Sequence, residues 1–291
     1  MKFRAIILLS ILLIIVLSGC ANPTELVPTP TLAVTSTGTS VPIPSITPTV
    51  IPTSTQTATP EPYANFILAS PLQDITLDEL SSIVSSPFAP PSPGWDDGHV
   101  GVDFAYWSRG SHEKMEGLEV YALMGGKVIG ITNDRKPYGN QIIIETPLTQ
   151  IPPDLLALLN PVQLATPYPP NPRLPACELI QEEQWELKPD SLYTLYGHMM
   201  LPVTHQIGET IQAGDLIGQV GTTGASVNPH LHLEMRWGPG GTEFASMGFY
   251  DTSTTDDERT NYCIWRVSGK YINVNPMDVI ETWLNLHRTG S

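Results

Sequence analysis

Asn228-Pro229-His230-Leu231-His232-Leu233-Glu234-Met235 places two histidines and a carboxylate at one parity and three apolar residues at the other. On a β-strand this alternation sends Leu231, Leu233 and Met235 to one face and His230, His232 and Glu234 to the opposite one. Residues two apart on a strand are separated by roughly 6.6 Å, so two imidazoles can enter one pocket without binding the same atom. A histidine bound to a metal commonly donates its second ring nitrogen to a carboxylate, and Glu234 shares the face needed for that. Taken alone, the stretch fits a solvated strand face equally well.

Two further segments carry the same side-chain types. His99 and Asp103 stand four apart in His99-Val100-Gly101-Val102-Asp103. Fully extended, that spacing is ~13 Å, too far to share a metal; Gly101 permits a bend that shortens it. His198 lies in Leu195-Tyr196-Gly197-His198-Met199, at the predicted end of a strand. Three nitrogen and oxygen ligands with one open position are what a catalytic zinc site requires. The helical His-Glu-x-x-His motif and the Gly-x-Ser-x-Gly elbow are both absent, which removes the helical zincins and local support for a serine triad. His112, His205 and His287 have no partner at ligand spacing.

The elements that must position these residues are short alternating runs with glycine punctuation, at 119–123, 127–131, 141–145, 191–198 and 216–220. With no βαβ rhythm and no internal repeat, they predict a mainly β, antiparallel domain. Gly125-Gly126 reads as a hairpin turn, and Gly208 and Gly214 punctuate another. A short helix is expected over 75–84, with Thr76 at its N-cap, and a closing helix over 279–286 packed on the sheet. Pro-rich 147–189, with a helix-like piece at 154–159, and polar, Gly-rich 238–270 read as insertions.

Of 291 residues, 14 are Lys or Arg and 29 are Asp or Glu, a net charge of −15. That balance argues against nucleic acid or anionic lipid as a partner, since phosphate binding relies on clustered basic residues. Residues 1–19 begin with Lys2 and Arg4, continue as an apolar run too short for a comfortable span, and end at Leu17-Ser18-Gly19-Cys20. This is the shape of a secretory signal whose end resembles the bacterial lipobox, which implies cleavage before Cys20 and a lipid on it. Losing Lys2 and Arg4 takes the charge from −15 to −17. Residues 20–62 are rich in Pro, Thr and Ser and read as an extended tether that could reach on the order of 100 Å. Residues 63–86 form a helical lead-in, and 87–291 the main domain. With Cys20 lipidated, Cys177 and Cys263 remain, one in each insertion; in an oxidising compartment they are open to a disulfide, and more weakly to zinc.

The ordered blocks HVGVDFA, GLEVYALMGGKVIGI, YGNQIIIE, LYTLYGHM, IGETIQAGDLIGQVGTTG, NPHLHLE and VNPMDVI together resemble the lysostaphin-type (LytM-like) zinc endopeptidases over roughly residues 86–286. That resemblance implies one zinc ion held by His99, Asp103 and His232, with His198 and His230 as catalytic histidines. It further implies Asn140 and Tyr196 as groove contacts, and peptidoglycan peptides as substrate. Some relatives carry a tyrosine shortly before the first ligand; here that region is Pro93-Gly94-Trp95. The expected setting is the outer face of a membrane, reached through lipidated Cys20, with an envelope protein as a further partner. The alternative is a silent lipoprotein of the same fold that binds and activates a wall amidase. Silent members lose ligands or catalytic histidines, whereas all five positions are filled here.

Overall fold

The computed structural model describes residues 65–91, 96–106, 114–159, 177 and 190–288. The signal and tether expectations, Cys20, His112 and the 93–95 segment lie outside these residues. Among the described residues no helix is long and apolar enough to cross a membrane.

Among the described residues ten strands and three α-helices follow one another: β1 (Val84–Ser86), β2 (Gly101–Phe104), β3 (Glu119–Tyr121), β4 (Gly126–Arg135), β5 (Gly139–Pro147), α1 (Pro153–Leu158), β6 (Asp190–Met199), β7 (Thr210–Ile211), β8 (Leu216–Gln219), β9 (Leu231–Pro239), α2 (Asp256–Val267), β10 (Ile272–Val274) and α3 (Pro276–Arg288). The main antiparallel sheet has the order β1-β2-β9-β6-β5-β4-β7, with β10 paired to the later half of β9. β3 and β8 form a separate two-stranded sheet.

β5 and β6 are buried almost throughout, which fits their place in the middle of the sheet. On β9 the alternation of the sequence is realised. Leu231, Leu233 and Met235 enter an aliphatic core with Val102, Phe104, Val279 and Ile280. A second core of Tyr193, Phe244, Tyr262, Trp265 and Tyr271 covers Leu195 and Ile143 from the other side. The sheet is therefore sandwiched, with residues of α3 on one face and of 238–270 on the other.

Several expectations are corrected. Residues 75–84 yield only a 3-10 helix at Leu80–Ile83 followed by β1; Thr76 caps no α-helix, and its backbone N–H and hydroxyl both bond to the Glu79 carboxylate. Gly125-Gly126 is not a hairpin turn, because β3 pairs with β8 and β4 with β5 and β7. The glycines carry the chain from one sheet to the other, and Gly208 and Gly214 likewise flank a strand, β7, whose sequence neighbour β8 belongs to the other sheet. The polar insertion 238–270 contains the twelve-residue helix α2. A Thr255-x-x-Glu258 capping box starts it, each side chain bonding the other's backbone N–H, and that signature is visible in the sequence.

Candidate active site

Register assembles the site. Asp103 of β2 and Gly197 of β6 both lie directly opposite His232 of β9, so the three positions share one face of the sheet. Gly197 has no side chain and leaves room for the ring. Gly101, opposite Glu234, is needed for a close approach: a Cβ there would stand 2.7 Å from His232 Cε1 and 2.5 Å from the Leu233 carbonyl. The glycine thus serves His232, while it lies within β2 in an unshifted register, so the expected bend at Gly101 is not what joins His99 to Asp103.

His99 lies outside β2, bridged to Ala89, and reaches the group from the side. Its Nε2 is 3.0 Å from Asp103 Oδ1 and 3.3 Å from His232 Nδ1, and the last two atoms are 2.8 Å apart. One donor atom from each residue lies within 4.8 Å of the others. The outer nitrogens are held as well. His99 Nδ1 faces the Pro87 carbonyl at 2.9 Å, and His232 Nε2 lies 3.5 Å from Glu234 Oε2. A carbonyl only accepts, so His99 Nδ1 must carry its proton, which leaves the Nε2 lone pair for a ligand. Two imidazoles and a carboxylate converging in this way fit zinc in donor type and geometry.

Electrostatics agree with this tight grouping. Burial works against an ionised Asp103, yet hydrogen bonds from His232 and His99 hold its carboxyl far below the usual range. Burial also disfavours charge on His232, but Asp103 and Glu234 raise it to about 9. A cation of higher charge would take the place of the proton they share.

His198 reaches the cleft by a departure from the strand. Since Gly197 faces His232, the pleat alone would turn His198 to the other face. At His198 the backbone instead enters the left-handed region, φ +59°, an uncommon conformation for a residue with a side chain. Its ring lies 4.8 Å from that of His230 and 5.7 Å from that of His232. His198 Nδ1 is 2.7 Å from the Thr223 carbonyl and His230 Nδ1 is 2.8 Å from that of Asn228. Both must therefore donate from Nδ1, leaving each Nε2 to act. His230 Nε2 is 3.5 Å from Asp103 Oδ1. Burial, with His232 and His230 beside it, pushes His198 down to about 3; burial lowers His230 too. Both are neutral bases at pH 7.

These residues line a cleft of about 380 Å³ together with Asp96, Tyr138, Val227, Tyr250, Tyr262 and Arg266. A larger cavity of about 460 Å³ lies elsewhere and has Lys127 as its sole charged lining residue, so it offers no comparable chemistry. Residues 186–244, which supply three of the cleft's histidines, match peptidase family M23. The lysostaphin-type resemblance of the motifs agrees with that match. The M23 segment contains His198, His230 and His232 but ends far from His99 and Asp103, which only the fold brings to it.

Solved structures similar to the chain include the catalytic domain, in mutant form, of the prophage-encoded M23 protein EnpA from Enterococcus faecalis, at 19% identity, covering 60% of this chain and 86% of that one, TM-score 0.32. The catalytic domain of lysostaphin from Staphylococcus simulans matches at 21% identity, over 55% and 84%, TM-score 0.32. A zinc containing peptidase from Vibrio cholerae matches at 22%, over 52% of this chain but 32% of its own, TM-score 0.30. At these TM-scores the likenesses carry no argument of their own. Among curated proteins none matches.

Two expected groove residues are placed elsewhere. Asn140 is buried, donating from Nδ2 to the Met199 carbonyl and accepting from the Asp134 N–H. Tyr196 is fully buried in the aliphatic core, its hydroxyl accepting from the Leu123 N–H. Both sit on strands beside the site, and sequence proximity does not show which way a side chain points. Glu234 is fully buried behind His232. His205 bonds Glu209 and the Leu216 carbonyl, and His287 the Trp283 carbonyl, all away from the cleft. Tyr138 and Arg266, which line it, had no signal at ligand spacing. Cys177 and Cys263 form a disulfide with Cα atoms 5.2 Å apart.

Proposed function

We propose that the protein is a zinc-dependent endopeptidase that hydrolyses peptide cross-links or stem peptides of peptidoglycan at the cell envelope. The observation that carries this reading is the meeting, in one cleft, of a His99-Asp103-His232 donor set and two neutral histidines with their Nε2 atoms unblocked. When bound, zinc supplies Lewis acidity, lowering the pKa of a water toward ~7 and polarising a carbonyl.

The chain's own residues do the rest. His198 takes the proton of the attacking water at Nε2, its Nδ1–H fixed on Thr223. His230, close to Asp103, faces the substrate, where it steadies the developing oxyanion or returns a proton to the leaving amine. Glu234 holds the outer nitrogen of His232 and so fixes which atom faces the ligand group. The amidase-activating alternative gains no observation here, since no ligand or catalytic histidine is missing.

The signal segment, Cys20 and the tether extend the proposal: a lipid on Cys20 keeps the enzyme at a membrane surface outside the cytoplasm, and the stalk gives it reach into the wall. Cys20→Ser would move the protein from the membrane to the soluble fraction. The activity is tested with purified protein on peptidoglycan, with and without a chelator. Products that vanish with chelator and return with zinc support it. Chelator-resistant cleavage, or intact protein that binds no zinc, overturns it.

A further inference from the structure

Helix α2 comes from the insertion 238–270, yet it is bonded to the supports of two of the three ligands. Trp265 Nε1 donates to Glu234 Oε1 at 2.8 Å. The other oxygen of that carboxylate accepts from Tyr138 Oη at 2.6 Å and faces His232 Nε2. Arg266 Nη1 in turn donates to Tyr138 Oη at 3.3 Å. Through Nε, 2.6 Å from Asp96 Oδ1, Arg266 also grips the segment that leads into His99. Tyr262 Oη donates to the same Asp96 carboxylate at 2.6 Å.

None of these groups is an ordinary surface pair. Glu234 and Trp265 are fully buried, and the side chains of Arg266 and Asp96 are 8% and 6% exposed. A carboxylate in such surroundings is retained only if its lone pairs are filled, and Glu234 has donors from three elements: Arg236 on its own strand, Tyr138 before β5, and Trp265 on α2. With Oε1 taken by Arg236 and Trp265, Oε2 is left for Tyr138 and His232. The helix, with Arg236 and Tyr138, thereby fixes the orientation of the carboxylate that meets the histidine.

We infer that α2 is a clamp for the metal set: Trp265, through Glu234, positions His232, and Arg266, through Asp96 and Tyr138, positions His99 and Glu234. The inference rests on the zinc-peptidase reading and adds a role for the insertion. Trp265 and Arg266 act here as positioning residues; Trp265 is fully buried and, unlike Arg266, does not line the cleft. Supporting groups of this kind typically change metal affinity by about 10–100-fold.

The experiment measures zinc affinity of the metal-stripped protein by competition with a chromophoric chelator, with no reference to peptidase activity. Trp265→Phe keeps an aromatic ring in the cluster and removes one donor; it is expected to weaken zinc about tenfold. Glu234→Gln is expected to weaken it at least as much, and adding Trp265→Phe to Glu234→Gln should change it by less than about twofold, since the tryptophan acts through that carboxylate. Thr255→Ala, which removes the cap at the far end of α2, is the control for general loosening and should leave affinity unchanged. Arg266→Gln should weaken zinc as Trp265→Phe does; if it fails to fold, the tryptophan series decides. Wild-type affinity in Trp265→Phe, an additive double variant, or an equal loss in Thr255→Ala each overturns the clamp. A wild-type protein without zinc affinity overturns the enzyme reading and the clamp together; tight wild-type binding with unaffected variants overturns only the clamp.

Discussion

The two faces of the sheet around β9 are built from the same strand and do opposite work. On one face Leu231, Leu233 and Met235 meet aliphatic side chains and residues of α3. There the interaction is non-directional, and each buried leucine contributes about 1.5–3 kcal/mol. On the other face His232, Glu234 and Arg236 meet Tyr138, Trp265 and Arg266, and Glu234 accepts directional hydrogen bonds from Tyr138, Arg236 and Trp265. The first face tolerates exchange of one apolar side chain for another of similar volume. The second does not, because a lost partner leaves a charge or a donor buried without compensation. Stability and chemistry are thus separated by the two-residue period of one strand.

Substitutions on each face should separate accordingly. The largest effect belongs to the polar face: His232→Ala should lose stoichiometric zinc, read by metal analysis of purified protein, and its cleavage of peptidoglycan should fall to background. His198→Ala should keep zinc and lose about 10²–10⁴ in turnover, the range of a general base; full activity in that variant would remove His198 from the mechanism. Next comes the apolar face. Leu233→Ala should cost about 2–5 kcal/mol in denaturant unfolding, while the folded fraction keeps wild-type zinc affinity. Glu234→Gln should show the reverse pattern, a loss of about 10–100-fold in zinc affinity. Smallest of all, Thr255→Ala should lower stability by about 1 kcal/mol without touching zinc. A Leu233→Ala protein that folds but binds zinc poorly would show that the faces are coupled, and the division would fail.

Much of this was legible in residues that alternate. The spacing of His230, Leu231, His232, Leu233 and Glu234 already assigned faces, because a strand has only two. The strands 127–131, 141–145 and 191–198 were read within larger observed ones for the same reason. What the sequence concealed is what depends on pairing. Glycines at 125 and 126 announce a change of direction but not that the chain moves to another sheet. His198 sits at the wrong parity for the site and reaches it through a left-handed residue, which no period reveals. Asn140 and Tyr196 lie beside site residues in the chain and point elsewhere. Arg266 and Tyr138 are isolated in sequence from every ligand; the docking of α2 brings Arg266 near, and the chain entering β5 brings Tyr138. The capping box at Thr255 could have revealed the helix, though not its destination.

The alignment of Asp103 with His232 has one more consequence. If β2 slipped by a single residue along β9, Val102 or Phe104 would take the place of Asp103 opposite His232, and every side chain of β2 would change face. A nearly native sheet in the wrong alignment would keep its strands and lose its metal set altogether. On the proposed zinc-peptidase reading, zinc affinity would be a readout of folding fidelity: during refolding, the fraction of chains able to bind zinc should count those in which β2 and β9 have found their proper alignment, which a spectroscopic measure of strand content cannot distinguish.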